Sequence, residues 1–85
     1  MPIEDNNALY ASVLELCRIL EELGATALAG DLRGALSVSS LPGEVLGEIR
    51  LSLWRIHDDK VYSRVDVRRQ VNEEIAYINK TLGVI

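Results

Sequence analysis

The residues best suited to chemistry lie together in one short stretch, LWRIHDDK, at positions 53–60. It contains the only tryptophan and the only histidine of the chain, Trp54 and His57, and the two carboxylates Asp58 and Asp59 follow directly. Imidazole and carboxylate groups bind transition metals and act as general acids and bases. The stretch is therefore the candidate for an enzyme or metal site.

The spacing within this stretch argues against that chemistry. A zinc site needs three or four converging ligands, and the chain offers a single histidine. Adjacent residues of a helix point about 100° apart, so Asp58 and Asp59 do not face one partner together. The sequence also lacks a glycine-rich phosphate loop of either standard spacing. We therefore expect no enzyme, no metal and no cofactor, and we interpret the stretch as a helix end followed by a turn.

The single cysteine, Cys17, gives information about redox chemistry and about the cellular compartment of the protein. One thiol cannot form an intramolecular disulfide, and the chain lacks the cysteine pairs of a zinc module. Cys17 lies on an apolar helix face, which is typical of a small core residue. The first residues are acidic and lack the basic-then-apolar order of a signal peptide. No apolar run reaches the ~20 residues that cross a bilayer. We therefore expect a cytoplasmic protein without a membrane span.

Apolar residues recur every three or four positions along most of the chain, which predicts helices. The first stripe contains Leu9, Val13 and Leu16, and Asp5 precedes it as an N-cap candidate. The SVSSLPG stretch interrupts this periodicity with serines and a Pro-Gly pair. We predict one all-α domain, a helical hairpin followed by two further helices. The predicted helices span 5–23, 26–36, 43–57 and 60–82, with a break at 37–42 and a kink at 57–64.

Two local patterns raise questions about packing and secondary structure. In the second helix, Gly30 and Gly34 each cost about 1 kcal/mol relative to alanine, so we expect them to allow close approach of a neighbouring backbone. In the third helix, Ile49, Leu51 and Leu53 alternate with other residues, which is also the pattern of a strand over 49–53. The helix is the main interpretation because the flanking apolar residues keep a helical period.

The size and composition of the chain favour self-association. A domain of 85 residues buries only about 60–65% of the surface that its unfolded chain exposes. Nevertheless, 48% of the residues are hydrophobic, enough for broad apolar helix faces. We therefore expect the four-helix domain to be completed by homodimerisation. The first and the last helix are the candidates for the shared surface, because their apolar faces are broad or long.

Charge is distributed unevenly over an acidic chain. The net charge is −4 and the pI is about 4.8, which argues against a general nucleic-acid binder. Residues 1–42 carry six acidic and two basic side chains, whereas residues 43–85 carry seven of each. Trp, Tyr and Arg, the usual interface hot spots, occur together in the second half. The candidate partner-binding residues are therefore Arg50, Trp54, Arg55, Tyr62, Arg64, Arg68 and Arg69.

These residues also have a purely structural interpretation. Trp54 does not lie squarely on the apolar line of the third helix, so it belongs either to the edge of the core or to a partner surface. We expect Arg50, Arg55 and Asp58 close to it, on one side of that helix. On the last helix, the arginines would form a solvated face whose charge is balanced by acidic neighbours. These neighbours are Asp66, Glu73 and Glu74.

We predict a non-enzymatic protein–protein interaction module of bacterial type, which buries helix faces against itself or a partner. The order of a helical hairpin before a basic, aromatic segment looks like that of small bacterial immunity or antitoxin-type binders, so a binder of a protein toxin is one alternative. A small DNA-binding regulator is another, because ELGATALAGDLRGAL has the outline of a helix-turn-helix that offers Arg33 to bases. The third alternative is an enzyme or metal site at His57, Asp58 and Asp59.

Overall fold

The computed structural model describes residues 3–83, and over these residues it contains four α-helices, one 3-10 turn and no strand. The all-helical class is therefore confirmed for this part of the chain, and the strand over 49–53 is excluded. The helices are α1 (Asn6–Glu22), α2 (Thr26–Ala35), α3 (Pro42–His57) and α4 (Val65–Leu82), and the 3-10 turn occupies Lys60–Ser63.

Local sequence signals explain where several helices begin and end. Asp5 caps α1, since its Oδ1 accepts a hydrogen bond from the Ala8 amide at 2.8 Å. Pro42 stands in the first turn of α3, where its missing amide hydrogen costs nothing. Gly24 follows α1 with φ +81°, and Gly83 ends α4 with φ +72°. Both glycines adopt the left-handed conformation that terminates helices and that other residues avoid.

The four helices pack in a ring in which each helix contacts its neighbours along the chain and α1 also contacts α4. The apolar stripes of α1 and α4 face the shared core, so both faces that were expected to form a dimer surface are covered within one chain. On α1, Leu14 is the large apolar side chain that stays exposed. The large side chains at the centre of the core are Leu9, Leu16, Leu20, Leu32, Leu46, Ile49, Leu53, Ile56 and Ile78.

The chain between α3 and α4 differs from the single helix expected over 60–82. Residues Lys60–Ser63 form the 3-10 turn, and α4 begins only at Val65. The carboxylate of Asp59 accepts a hydrogen bond from the Val61 amide at 3.0 Å. The Ser63 hydroxyl donates to the Lys60 carbonyl at 2.9 Å. These local hydrogen bonds compete with continuous helix and redirect the chain.

The glycines of α2 do not have the expected role. Gly30 and Gly34 are both exposed, and a Cβ atom added to either would meet no atom within 4 Å. The expected close approach of a neighbouring backbone is therefore wrong within this fold. Ala29 and Ala35 are the small residues of α2 that face the core.

Replacing Gly30 with alanine is expected to stabilise the protein by about 0.5–1 kcal/mol. The methyl group enters open space, and alanine loses less backbone entropy than glycine when it folds into a helix. Gly24→Ala is the matched control and should cost about 1–2 kcal/mol, because its φ of +81° disfavours any Cβ. Urea unfolding followed by circular dichroism measures both. A destabilised Gly30→Ala variant would contradict the open space around α2.

Candidate functional site

Three aromatic rings meet where α3 ends. The edge of Trp54 lies against His57, with ring centroids 4.9 Å apart, and His57 lies 4.4 Å from the ring of Tyr62 in the 3-10 turn. His57 Nδ1 is 3.1 Å from an Asp58 carboxylate oxygen. Ring contacts of this kind stabilise packing by about 0.5–1.5 kcal/mol. These contacts pack the 3-10 turn against the end of α3. They support the interpretation of LWRIHDDK as a helix end followed by a turn.

The carboxylates of this stretch have separate local partners. Asp58 lies beside the His57 ring, whereas Asp59 caps the 3-10 turn. Within residues 3–83, no three His, Cys, Asp or Glu side chains are grouped so that they could hold a metal ion. Asp58 is the C-cap of α3 and Asp59 has extended backbone, so the two carboxylates diverge because the helix has ended, and the 100° rotation between helical neighbours does not apply to them.

The arginines of α3 do not cluster with Trp54 as expected. Arg50 turns towards α4, where its Nε donates to the side-chain oxygen of Asn79 at 2.6 Å. Arg55 turns towards α2, where it donates to Asp31 at 2.7 Å. The Ser52 hydroxyl also donates to Asp31, at 3.1 Å. Five positions separate the two arginines, so they fall on opposite edges of the helix, and each ties α3 to a different neighbour.

The remaining candidate residues lie on the 3-10 turn and on α4. The Tyr62 hydroxyl donates to the side chain of Asn72 at 2.7 Å, and its ring packs on the edge of the core. Arg64 immediately precedes α4 and lines a groove of about 570 Å³ between the 3-10 turn and the α1–α2 connection. Arg68 and Arg69 are exposed on the first half of α4. The seven candidate residues are therefore distributed over several surfaces instead of forming one patch.

An apolar patch lies on the outward face of α3. Leu51 is 49% exposed and Trp54 is 38% exposed, and the two are one helical turn apart. Trp54 is therefore open to solvent, and its ring contacts His57. The neighbouring Gly47 has open space around it. Tryptophan is enriched among the hot spots of protein interfaces, and exposed apolar patches mark interaction sites.

A buried polar cluster around Glu74, which was not predicted from the sequence, lies between α1 and α4. Glu74 was expected on a solvated face, yet its side chain is 0% exposed. The Ser12 hydroxyl donates to one of its carboxylate oxygens at 2.6 Å. The side-chain amide of Gln70 donates to the Ser12 carbonyl at 2.7 Å and reaches the hydroxyl at 3.3 Å. The second carboxylate oxygen of Glu74, Oε1, is buried without a hydrogen-bond partner in the structure.

Burial raises the pKa of Glu74 to about 8 because the charged form loses its hydration. The hydrogen bond from Ser12 opposes this shift, and the nearby charge of Glu73 adds to it. The side chain is therefore neutral below that pH. The signal in the sequence was the spacing of Val71, Glu74 and Ile78, since steps of three and four place Glu74 in the middle of the apolar stripe of α4.

Cys17 is a core residue, and the structure gives no support for a nucleophilic role. Its thiol is fully buried and lies 3.7 Å from the Ala29 carbonyl, to which it donates. Burial raises the pKa of the thiol, and the carboxylates of Glu21 and Glu74 act in the same direction. The neutral thiol is a poor nucleophile, so Cys17 contributes to packing between α1 and α2.

Comparisons of the chain with protein-family models, with curated proteins and with solved structures each find no match. Within residues 3–83, none of the helices combines the length and the apolarity that crossing a bilayer requires.

Proposed function

We propose that the protein is a non-enzymatic protein–protein interaction module that acts by burying a helix face against itself or against a protein partner. The observation that supports this proposal is the exposed pair Leu51 and Trp54 on the outward face of α3. Burial of the large apolar surface of a tryptophan is favourable, and an exposed tryptophan does not gain this stabilisation. A contact that covers this pair would recover that free energy.

The surroundings of the pair suit an interface. Asp58 is exposed one helical turn beyond Trp54, so a charged residue borders the apolar pair at that end. His57 packs against the indole from the side and restricts its movement. A side chain that is already held in place loses less entropy on binding, which strengthens association.

Replacing Trp54 with alanine is expected to weaken self-association at least tenfold, because truncation of a hot-spot aromatic residue costs about 2 kcal/mol or more of binding free energy. Sedimentation velocity over a range from low micromolar to near-millimolar concentration measures the dissociation constant. Leu14→Ala is the matched control, since Leu14 is also exposed, at 45%, but lies on α1. Equal dimer affinities in both variants would contradict a role for the α3 face.

Trp54 is also a built-in probe for this proposal. Because it is the only tryptophan, its emission reports on the α3 face alone. We expect the emission of the wild-type chain to shift to shorter wavelength as the concentration rises. A strictly monomeric chain with constant emission would contradict self-association and leave only binding to a different protein.

A further inference from the structure

The polar contacts between α1 and α4 differ from those of the other helix pairs in the ring. An arginine takes part in each of the other three, where the hydrogen-bonded pairs are Arg33–Glu21, Arg55–Asp31 and Arg50–Asn79. Between α1 and α4, within residues 3–83, side-chain hydrogen bonds join Ser12 to Glu74, Gln70 to Ser12 and Tyr77 to Asn6. These described side chains include a buried acid, Glu74, and none of them is basic.

The surroundings of Glu74 suit a neutral carboxyl group. Ser12 donates to one of its oxygens, and the other oxygen is buried without a hydrogen-bond partner in the structure. On α4, the charged group that acts on Glu74 is Glu73, which is also acidic. On α1, the titratable neighbour is the buried thiol of Cys17. The buried residues of α2 and α3 are uncharged, so neither of these helices supplies a buried cation.

The position of Glu74 in the ring indicates how water can reach it. An ionised carboxylate recovers its hydration only when the helices that bury it separate. Glu74 faces α1, as its hydrogen bond with Ser12 shows. In the ring, α1 and α4 are the neighbours that no single connection joins, because α1 continues into α2 and α4 follows the 3-10 turn. Separating α1 from α4 therefore stretches no connection of the chain.

We propose that the contact between α1 and α4 is a conformational device that opens in response to pH. The contact is closed while Glu74 is protonated. The open conformation, in which α1 has moved away from α4, is favoured when Glu74 releases its proton to water. Opening uncovers the apolar stripes of both helices, which the closed ring buries. The device concerns α1 and α4 and does not depend on the outward face of α3 in the proposed function.

The two environments of Glu74 define the pH range of the opening. Its carboxyl group has the ordinary pKa of 4.5 when water reaches it, and burial in the closed contact raises this pKa to about 8. Between these values the open conformation has released a proton that the closed one still holds. The equilibrium constant for opening therefore rises about tenfold per pH unit. From about pH 5.5 to about pH 7.5 we expect an increase of about a hundredfold.

Native-state hydrogen exchange of the full chain, followed by mass spectrometry, measures this opening. A helix of 17 residues is marginally stable in water without tertiary packing, so the α1 amides lose protection once the contact with α4 opens. We expect the α1 amides to exchange at least about tenfold faster than the α3 amides, with little dependence on urea, because the opening is smaller than global unfolding. After division by the intrinsic exchange rate, α1 exchange should rise about a hundredfold from about pH 5.5 to about pH 7.5.

Two variants separate the carboxyl group from the strength of the contact. Glu74→Gln cannot ionise, so its corrected α1 exchange should be the same at both pH values. Tyr77→Phe removes the hydrogen bond that the Tyr77 hydroxyl donates to Asn6 at 2.6 Å. This second variant should open more at both pH values by a similar factor and keep the change with pH of the wild-type chain.

Faster exchange of α1 than of α3, with a dependence on pH that Glu74→Gln removes, supports the pH-dependent opening. Equal protection of α1 and α3 at every pH would overturn it, because Glu74 would then meet water only when the whole domain unfolds. An α1 exchange that is the same at both pH values in the wild-type chain, or that keeps its pH dependence in Glu74→Gln, would overturn it as well. These results do not depend on self-association, so the proposed function is tested separately.

Discussion

Replacing Glu74 with glutamine is expected to stabilise the protein by about 3 kcal/mol at pH 8 and to destabilise it by about 1 kcal/mol at pH 4.5. The carboxyl group ionises near pH 4.5 in the unfolded chain and near pH 8 in the folded one. Between these values the unfolded state has released a proton that the folded state still holds. Each pH unit in that interval therefore lowers the free energy of unfolding by about 1.4 kcal/mol.

The direction of the pKa shift determines whether the stability of the wild-type protein rises or falls with pH. The stabilisation from the protonated Glu74 is fully present below pH 4.5 and is lost as the pH rises through about 8. Over the whole interval the loss is on the order of 4 kcal/mol. Glutamine cannot ionise, so the variant keeps its stability in this range. Its amide leaves a buried donor unpaired in place of Oε1, which costs about 1 kcal/mol at every pH.

Urea unfolding of the two proteins at several pH values between 4.5 and 8 measures this difference. The two curves of stability against pH should cross within that interval. Glu73→Gln is the matched control, because it removes the same charge from an exposed neighbour and should change stability by at most about 0.5 kcal/mol. Parallel curves for wild type and Glu74→Gln would show that the carboxyl group reaches water in the folded protein.

The buried cluster also explains why α1 and α4 meet in one register. Ser12 can donate to Glu74 only when its turn of α1 lies opposite that turn of α4, and Gln70 then reaches the backbone of Ser12. Apolar contacts between two helices tolerate small sliding movements, whereas hydrogen bonds with fixed distances do not. The cluster therefore contributes specificity to the packing and makes stability depend on pH.

The periodicity of apolar residues predicted four helices, because helix formation along this chain depends on one buried face, but it did not predict the 3-10 turn at Lys60–Ser63. The directions of polar side chains could not be predicted in the same way. Arg50 and Arg55 were expected on one side of α3, yet they bind Asn79 and Asp31 on opposite neighbours. The ring of helices determines which neighbouring helix lies on each side of α3. The sequence of α3 alone does not contain this information.

Glu74 illustrates a different limit of prediction from the sequence. Its position in the apolar stripe was readable from spacing, but a carboxyl group is almost never fully buried unless it is paired. That general expectation favoured a solvated side chain. The partner that makes burial tolerable, Ser12, lies 62 positions away in the chain. Contacts of such separation depend on the tertiary fold, so composition and periodicity cannot reveal them.

Replacing Leu53 with alanine is expected to cost about 3 kcal/mol of unfolding free energy, whereas Leu51→Ala should cost at most about 0.5 kcal/mol. Leu53 is 0% exposed in the core, and its loss leaves a cavity between the helices, while Leu51 is 49% exposed. In a strand, both residues would share a face with Ile49 and respond alike. Urea unfolding at low concentration, where the chain is monomeric, measures both variants without a contribution from association. Similar losses at positions 51 and 53 would contradict the helical face assigned to α3, and with it the outward patch from which the interaction surface was inferred.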